Sequence, residues 1–562
     1  MNPPGAVPRT GIPSQLAANL TMAEQYDWHR AFRKRHRVSR RSFLQGGAAA
    51  AMVAGLGSFG RVAYAADAPL AVGGRHVGFG PDAASQLRFS AQLSRNPLGA
   101  KVFLDHGPTP ALGATTEAEV RNLVTQIPRT DGGMLAAEQF YVHGRVDGLP
   151  GRLPHFYRWR TSDGFTTDVV AARTAMPSAR LALLPFRFTM MGDQGIDDTP
   201  AEPSGIRPGA YRNSHSDGDA PDARNAENIQ RQIVASNPDF HILAGDICYA
   251  DNSHGGGPDW FAPSGRTDNP GVDAYNPFVW DSYFQAIESS AARVPWMFTT
   301  GNHDMEAIYG THGYGGLTRR LDLPGNGPDG CPSVYSFRYG NVAVLSLDAN
   351  EVSWQVRANL GYSGGAQTSW VEHTLAAYRA DPAVDFIVCF FHECAYATGV
   401  GAASDGGVRS AWSDLFDRYR VDVVLQGHNH NFERTDPMRG GRPTKAAPDN
   451  SIVYPETDGT VYYVVGGGGA IHATFPADES YRGNELPDTT VAKATLWTSD
   501  GTDQGETDIA WSRVRFRRYS FIRVDVRPGL FASEMDVTAV DEFGREFDRI
   551  TYRRPVAEKK LP

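Results

Sequence analysis

The sequence is poor in cysteine, carries no excess of basic residues and lacks a long apolar segment near its N-terminus. Its 562 residues include four cysteines and no Cys-x-x-Cys pair. A disulfide scaffold is therefore excluded, and at most one disulfide of unassigned connectivity is expected. The formal net charge of −9 argues against nucleic acid as the main partner. Apolar residues still make up 41% of the chain, which is enough for a large core.

The first 65 residues have the three parts of an export signal. Arg40 and Arg41 lie in the segment Ser-Arg-Arg-Ser-Phe-Leu-Gln, which follows a basic run and precedes a weakly apolar, Ala/Gly-rich stretch at 46–60. An Ala-Tyr-Ala cleavage pattern ends at residue 65. Residues 1–65 thus resemble a twin-arginine signal. The alternative is a short membrane anchor, but 46–60 is too short to span ~30 Å of hydrocarbon, and Arg61 closes it.

We therefore expect the twin-arginine export machinery to be a partner and the mature protein to be periplasmic, at the cell surface or secreted. No stable membrane anchor is expected after cleavage. The signal contains nine Lys/Arg and two Asp/Glu, so its removal leaves a mature chain with a formal charge of −16.

Residues 66–180 have the pattern of an all-β domain. The segments 86–93, 139–145 and 155–160 alternate apolar and polar residues, the period of half-buried strands, and Gly/Pro/Asp turns separate them. This spacing predicts a β-sandwich of immunoglobulin or fibronectin type III-like form. No catalytic cluster occurs here, so we interpret the domain as a structural or docking module.

From residue 181 onward, strands alternate with helices, which predicts a layered α/β domain with mixed β-sheets. Strands are predicted at 187–191, 240–244, 294–299, 333–337, 342–347, 386–391, 421–425, 461–465, 520–526 and 532–539, and helices at 222–236, 280–292, 367–380 and 409–419. The segments 251–277, 439–452 and 477–508 are interpreted as loop-like insertions.

Polar side chains follow five of the predicted apolar segments, in most cases beside a glycine. They are Asp193, then Asp246 with Tyr249, then Asn302 with His303, then His392, and finally His428 with His430. In open α/β sheets, binding sites form outside the carboxyl ends of the strands. We therefore expect these side chains to meet in one cleft.

The residue types predict a pair of metal ions. Asp, Asn, Tyr and His together make a mixed oxygen and nitrogen shell that suits Fe, Mn or Zn. Paired catalytic ions lie ~3.5–4 Å apart, so one carboxylate must bridge them. Each motif alone is weak, because a Gly-Asp pair usually marks a turn and a lone histidine is usually a packed one. The joint occurrence of all five, each after an apolar run, carries the prediction.

The set Gly-Asp-x-Gly, Gly-Asp-x-x-Tyr, Gly-Asn-His-Asp, a strand-end His and Gly-His-x-His resembles the motif series of the purple acid phosphatases, which are calcineurin-like metallophosphoesterases. The resemblance covers about 186–435. It implies that 181–562 is a calcineurin-like metallophosphoesterase catalytic domain. The larger members of the family also carry a fibronectin-like domain in front of the catalytic one.

The resemblance also implies roles for individual residues. Asp193, Tyr249 and His430 would hold Fe(3+), Asn302, His392 and His428 would hold a second divalent metal (Fe, Zn or Mn), and Asp246 would bridge the two. His303 would be catalytic, binding the phosphate and protonating the leaving alcohol. A metal-bound hydroxide would attack phosphorus in line with the leaving group.

The sequence departs from the family downstream of His392, where no further histidine follows in the next loop. His254, His312 or His472 could replace such substrate contacts, although each is also interpreted as a solvated loop residue. Cys248, between Asp246 and Tyr249, is expected to face the core.

The resulting hypothesis is an exported binuclear acid phosphatase that hydrolyses phosphate monoesters, with a small-molecule phosphate ester as its substrate. A phosphodiesterase or nucleotidase on the same bimetal site is the first alternative. A non-catalytic, metal-stabilised surface protein is the second, and the intact ligand set speaks against it.

Overall fold

The fold is described from a computed structural model of the chain. It describes residues 69–556 apart from 129–133, 179–183, 198–223, 251–274, 307–308, 310, 356–358, 400–403, 474, 476–484, 487–492 and 498–502. The expected signal at 1–65 lies outside the described residues, as do His254 and most of the insertion at 251–277.

Eight strands make up the N-terminal part. They are β1 (Val72–Phe79), β2 (Leu87–Leu93), β3 (Val102–Gly107), β4 (Ala114–Glu117), β5 (Glu119–Pro128), β6 (Met134–Val146), β7 (Pro154–Thr161) and β8 (Val170–Arg173). One four-stranded sheet has the order β1-β2-β6-β5, and the other has the order β4-β3-β7-β8. Every pairing in them is antiparallel.

The two N-terminal sheets face each other across an apolar interior. Along β7, buried and half-buried residues alternate, which places Tyr157 and Trp159 on the inner face. The ring of Tyr157 lies 4.4 Å from that of Phe89 on β2, in the opposite sheet. A buried apolar core therefore joins the two layers.

Two larger mixed sheets build the rest of the chain. The first is seven-stranded, in the order β11-β10-β9-β25-β26-β27-β19. Its strands are β9 (Phe186–Met191), β10 (Phe240–Ala244), β11 (Trp296–Thr299), β19 (Ser451–Val453), β25 (Ser520–Arg527), β26 (Ala532–Asp541) and β27 (Glu546–Pro555). β9, β10 and β11 are parallel neighbours.

The second sheet is eight-stranded, in the order β12-β13-β14-β15-β20-β16-β24-β21. Its strands are β12 (Tyr335–Tyr339), β13 (Val342–Ser346), β14 (Phe386–Phe391), β15 (Val423–Gln426), β16 (Phe432–Thr435), β20 (Val461–Val465), β21 (Glu485–Leu486) and β24 (Ser512–Phe516). β13, β14, β15 and β20 are parallel neighbours.

The described residues of this part also form helices. They are α1 (Asn225–Ser236), α2 (Phe278–Ala291), α3 (Gly315–Arg320), α4 (Ala366–Ala380), α5 (406–418, with a π-helical turn at Arg409–Ser413) and α6 (Pro455–Asp458). Short 3-10 turns occur at Asn302–Asp304, Thr311–Gly313 and Ala349–Glu351.

The parallel strands β13, β14, β15 and β20 of the eight-stranded sheet are buried on both faces, as expected for apolar strands of this kind. In β14, Phe386 and Phe390 belong to the cluster shared with the seven-stranded sheet, whereas Ile387 and Phe391 belong to a second cluster. The second cluster includes Trp412 of α5. The two sheets are therefore packed face to face, and α5 lies on the outer face of the eight-stranded sheet.

Most predicted elements are present within one to three residues of their bounds. The strands at 240–244 and 386–391 have the predicted bounds, and α4 begins one residue before its predicted start. The strand predicted from 294 begins at Trp296, because Pro295 offers no N–H to a ladder.

The interpretation of 439–452 and 477–508 as loops is wrong in part. A hairpin joins β17 (Met438–Arg439) to β18 (Arg442–Pro443), and a second joins β22 (Lys493–Trp497) to β23 (Gln504–Asp508). Gly440 and Gly441 both have positive φ, which is the requirement of a two-residue hairpin turn.

All four cysteines are buried and free. Cys248 lies in the main core cluster, which confirms the expectation for its side chain. Among the described residues, no helix combines the length and apolar character needed to cross a membrane.

A charged contact ties the N-terminal sheets to the segment after α3. Asp322 accepts two hydrogen bonds of 2.8 Å from Arg145 and one of 3.2 Å from Arg121. Burial by itself raises the pKa of Asp322, but the hydrogen bond and charge of Arg145 and the charge of Arg121 outweigh it and lower the pKa to about 2. The carboxylate is therefore held in its charged form at this contact.

Replacing Asp322 by asparagine is expected to lower the free energy of unfolding by about 2 kcal/mol at pH 7, the equivalent of its pKa shift. Since the folded pKa lies below the ordinary one, this contribution is present above pH ~4 and is lost as the pH falls toward 2. Urea unfolding of both proteins between pH 7 and pH 3 measures the difference.

A suitable control is Asp147→Asn, which removes the exposed partner of Arg88 and is expected to cost no more than ~1 kcal/mol. A loss for Asp322→Asn that stays constant as the pH falls would contradict the ionic origin of the effect.

Candidate metal centre

The predicted side chains follow strands that end at one edge of the paired sheets. β9, β10 and β11 are parallel and in register, with Ala244 paired to Thr299. β14 and β15 are parallel in the other sheet, with Phe391 paired to Gln426. The segments after these five strands therefore emerge side by side, three from one sheet and two from the other.

Glycines allow the five segments to approach closely at two points in particular. A Cβ atom on Gly301 would lie 2.2 Å from Oδ1 of Asp246. A Cβ atom on Gly427 would lie 2.7 Å from Oδ2 of Asp193 and 2.8 Å from Nδ1 of His392. Any side chain at these positions would displace a predicted ligand, which explains the glycines beside them.

Four of the predicted ligands have a left-handed backbone. Asp193, Asp246, Tyr249 and His428 have φ values of 59°, 48°, 58° and 69°. Such conformations cost free energy for residues other than glycine and cluster at functional sites. Here each one turns the chain sharply after a strand, so that the polar side chain points into the shared cleft.

Three side chains form one half of the cluster. Oη of Tyr249 lies 3.1 Å from Oδ1 of Asp193 and 2.9 Å from Nε2 of His430. Nε2 of His430 is 3.2 Å from the same Asp193 oxygen. The other ring nitrogen of His430, Nδ1, donates to the carbonyl oxygen of Ile471 at 2.5 Å, which directs Nε2 into the cluster.

Three more side chains form the other half. Nδ1 of His428 lies 3.0 Å from Oδ1 of Asn302 and 3.3 Å from Nε2 of His392. Nδ1 of His392 donates to the carbonyl oxygen of Ala244 at 2.8 Å, so this ring too presents Nε2 inward.

Asp246 lies between the two halves. Its Oδ2 atom is 3.1 Å from Nε2 of His392. Two groups of donor atoms each lie within 4.8 Å of one another, and Asp246 belongs to both: Asp246, His392 and His428 form one, and Asp193, Asp246 and His430 the other. This arrangement matches the chemistry of a mixed oxygen and nitrogen site for two cations that share a carboxylate.

The sequence profile of the calcineurin-like phosphoesterase family matches residues 187–432. An uncharacterized protein of Mycobacterium tuberculosis is 31% identical over 526 residues, which cover 88% of this chain and 90% of that protein. The chain contains a calcineurin-like phosphoesterase domain.

Two plant proteins are also similar to this phosphoesterase. Purple acid phosphatase 15 of Arabidopsis thaliana is 23% identical over 63% of this chain and 58% of that protein. The structure of purple acid phosphatase PPD1 from yellow lupin (Lupinus luteus) seeds superimposes with a TM-score of 0.60 at 18% identity, over 87% of this chain and 75% of that one. The second match shows a shared fold.

The charges of the cleft set the protonation states of three predicted ligands, and for Asp246 and His428 the favoured state is the one that binds a cation. Burial would raise the pKa of Asp246, but the positive charges of His392 and His303 outweigh it and hold the pKa well below the ordinary value. Burial and the neighbouring His392 lower the pKa of His428. Burial also lowers the pKa of His392, but Asp246 and Asp193 overcome that effect and raise it. The phosphoesterase therefore holds Asp246 ionised and His428 neutral.

His303 lies beside the cluster and outside both donor groups. Its backbone N–H donates to Oδ1 of Asp246 at 2.9 Å, and its ring centre is 4.9 Å from that of Tyr249. The side chain is therefore next to the centre while its backbone supports the shared carboxylate.

The other histidines considered from the sequence lie elsewhere. The ring of His312 packs at a tilt against Tyr362, with ring centres 4.8 Å apart, and His472 stacks on Tyr519 at 3.7 Å. Neither belongs to a donor group among the described residues of this phosphoesterase.

Two residues of the site were not found from the sequence. Asp304 accepts from the backbone N–H groups of Gly301 and Ile247, at 2.8 and 3.1 Å, and so joins the segments after β11 and β10. Burial and the charge of Asp246 raise its pKa to about 8. The position of Asp304 in the Gly-Asn-His-Asp motif could have identified it from the sequence. Gln355, whose amide lies 2.5 Å from Nε2 of His428, belongs to no motif.

Proposed function

We propose that this phosphoesterase is an exported acid phosphatase of the purple type that hydrolyses phosphate monoesters at a binuclear metal centre. The observation that carries the proposal is the pair of donor groups that share Asp246. The similarity to plant purple acid phosphatases supports it.

Under this proposal, Asp193, Tyr249 and His430 hold Fe(3+), and Asn302, His392 and His428 hold a divalent ion. When bound, such a pair lowers the pKa of a water molecule and neutralises charge on the phosphate oxygens. The other parts of the mechanism depend on side chains of the protein. The buried carboxylates of Asp193 and Asp246 offset the charge of the cations, and their hydrogen bonds to backbone N–H groups keep the oxygens aimed inward.

His303 is proposed to act at the leaving group. Its backbone is fixed by Asp246, and its side chain is 8% exposed at the edge of the cluster. A protonated ring there would hold a phosphate oxygen and pass its proton to the leaving alkoxide oxygen.

The proposed domain boundaries are 1–65 for the twin-arginine signal, 66–180 for a fibronectin type III-like domain and 181–562 for the catalytic domain. The two four-stranded antiparallel sheets formed by β1–β8 support the second assignment. The paired Arg40 and Arg41 support the first.

Hydrolysis of p-nitrophenyl phosphate and of its bis ester at acidic pH tests the substrate class. The proposal expects a higher kcat/KM on the monoester. Faster hydrolysis of the bis ester would instead support a phosphodiesterase. Bound metal without turnover of either compound would support a non-catalytic protein.

Tyr249→Phe tests the ferric half of the centre. A phenolate bound to Fe(3+) gives a visible charge-transfer band, so we expect the band to disappear completely while the chain stays folded, since Oη is the only atom removed. Absorption spectra and iron content by elemental analysis measure the effect.

Tyr157→Phe is the matched control, because it removes another buried hydroxyl, on β7 of the N-terminal part, which donates to the carbonyl oxygen of Ala292 just after α2. Its visible band is expected to match that of the unmodified protein. A visible band that survives in Tyr249→Phe would exclude Tyr249 as the source, and a pure protein without iron would refute the ferric assignment.

A further inference from the structure

The outer edge of the His428 ring faces a buried glutamine. Nδ1 is the inward nitrogen, close to Asn302 and His392. Nε2 lies on the opposite side of the ring, 2.5 Å from the amide nitrogen of Gln355. Gln355 is only 2% exposed, and its amide oxygen has no hydrogen-bond partner among the residues that the structure describes.

The position of the proton on a metal-binding imidazole determines which group donates the hydrogen bond between His428 and Gln355. A neutral ring carries one proton, and a nitrogen that binds a cation cannot keep it. If Nδ1 faces the cation, Nε2 carries the proton and needs an acceptor. A half turn of the Gln355 amide places its oxygen against Nε2, and this exchange gives both the N–H group and the buried oxygen a partner.

We propose that Gln355 is a positioning residue of the metal centre. Its amide oxygen accepts the Nε2 proton of His428, and this bond fixes the ring orientation and the tautomer that present Nδ1 to the divalent ion. The inference rests on the proposed binuclear function and adds a residue to it.

The other two site histidines explain why a side chain is needed here. The outer nitrogens of His392 and His430 donate to the carbonyl oxygens of Ala244 and Ile471. His428 instead meets Gln355 at its outer nitrogen. Orientation of this third ring therefore depends on a side chain, which substitution can remove.

Gln355 is itself held firmly enough to orient a ring. Its backbone N–H donates to Oδ2 of Asp405 at 3.0 Å and to Oγ of Ser353 at 3.1 Å. The Asp405 carboxylate also accepts from the Ser353 hydroxyl and from the first N–H groups of α5. The glutamine is thus tied to the N-terminus of a packed helix.

Zn²⁺ binding to the iron-loaded protein tests the assignment, with a chromophoric chelator as competitor. Gln355→Met removes the acceptor at similar size, and we expect Zn²⁺ affinity to fall about 10–100-fold. The visible band of the ferric half should not change. Gln355→Glu keeps an acceptor and should retain affinity within about threefold of the unmodified protein. Gln230→Met, at a buried glutamine on α1, is the control and should change nothing.

Two results of the Zn²⁺ binding measurement would overturn the proposed role of Gln355. Unchanged Zn²⁺ affinity in Gln355→Met would overturn it. Equal losses in Gln355→Glu and Gln355→Met would also overturn it, because a carboxylate fails only where the ring nitrogen is an acceptor. The Glu variant keeps the test open if the Met variant does not fold. An unmodified protein that binds neither iron nor Zn²⁺ would instead overturn the binuclear function and this assignment together.

Discussion

Replacing Asp246 by asparagine is expected to lower kcat/KM on a phosphate monoester by on the order of 10³-fold or more, the range found for removing a charge that stabilises phosphoryl transfer. Asp246 is the carboxylate common to both donor groups. Asparagine keeps the size and one oxygen acceptor for the N–H of His303, so the backbone at that point is preserved. The negative charge that would balance two cations is lost.

The measurement combines steady-state kinetics with metal content per chain. We expect metal content to fall from two ions toward one or none in parallel with activity. Asp385→Asn is the matched control, because this buried carboxylate lies just before β14, at the opposite end of the strand from His392. A fully active Asp246→Asn protein with two ions bound would refute the bridging role.

Replacing His303 by alanine is expected to lower kcat by about 10²–10⁴-fold, the usual contribution of a positioned general acid. His303 belongs to neither donor group, so both metal ions and the visible band should be retained. The loss should depend on the leaving group. An alkyl phosphate, whose alkoxide needs a proton, should lose more than p-nitrophenyl phosphate, whose leaving group is stable without one.

Comparison of the two substrates in His303→Ala and in the unmodified protein separates proton donation from phosphate binding. His373→Ala is the control, since His373 lies on the exposed face of α4 and hydrogen-bonds to Ser369 within that helix. Equal losses on both substrates would show that His303 binds phosphate without donating a proton. Undiminished turnover would remove it from the site.

The strands and the predicted ligands could be found from the sequence because both depend on local patterns. A mainly apolar run such as 240–244 is buried on both faces and ends where Gly245 and Asp246 turn the chain. The residue types after each run limit the chemistry to cation binding. Neither the strands nor the ligands require knowledge of which strands are neighbours in the sheets.

The pairing of β17 with β18 was missed although its Gly-Gly turn is a local signal, because the surrounding segment is polar and lacks strand alternation. Asp304 was visible within a motif, but its hydrogen bonds to Gly301 and Ile247 join two segments that are distant in sequence. Contacts of this kind depend on how the strands are ordered in the sheet.

The contact between Gln355 and His428 is the clearest example of a contact that the sequence could not predict. Gln355 follows no apolar strand, and 73 residues separate it from His428. The sequence by itself determined the donor atoms, since ligand chemistry belongs to residue types at strand ends. Only the tertiary structure decided which nitrogen of each histidine faces inward and which group lies at the outer nitrogen. Those depend on the packing of the two sheets, because hydrogen bonds of about 3 Å require side chains from distant segments to be placed together.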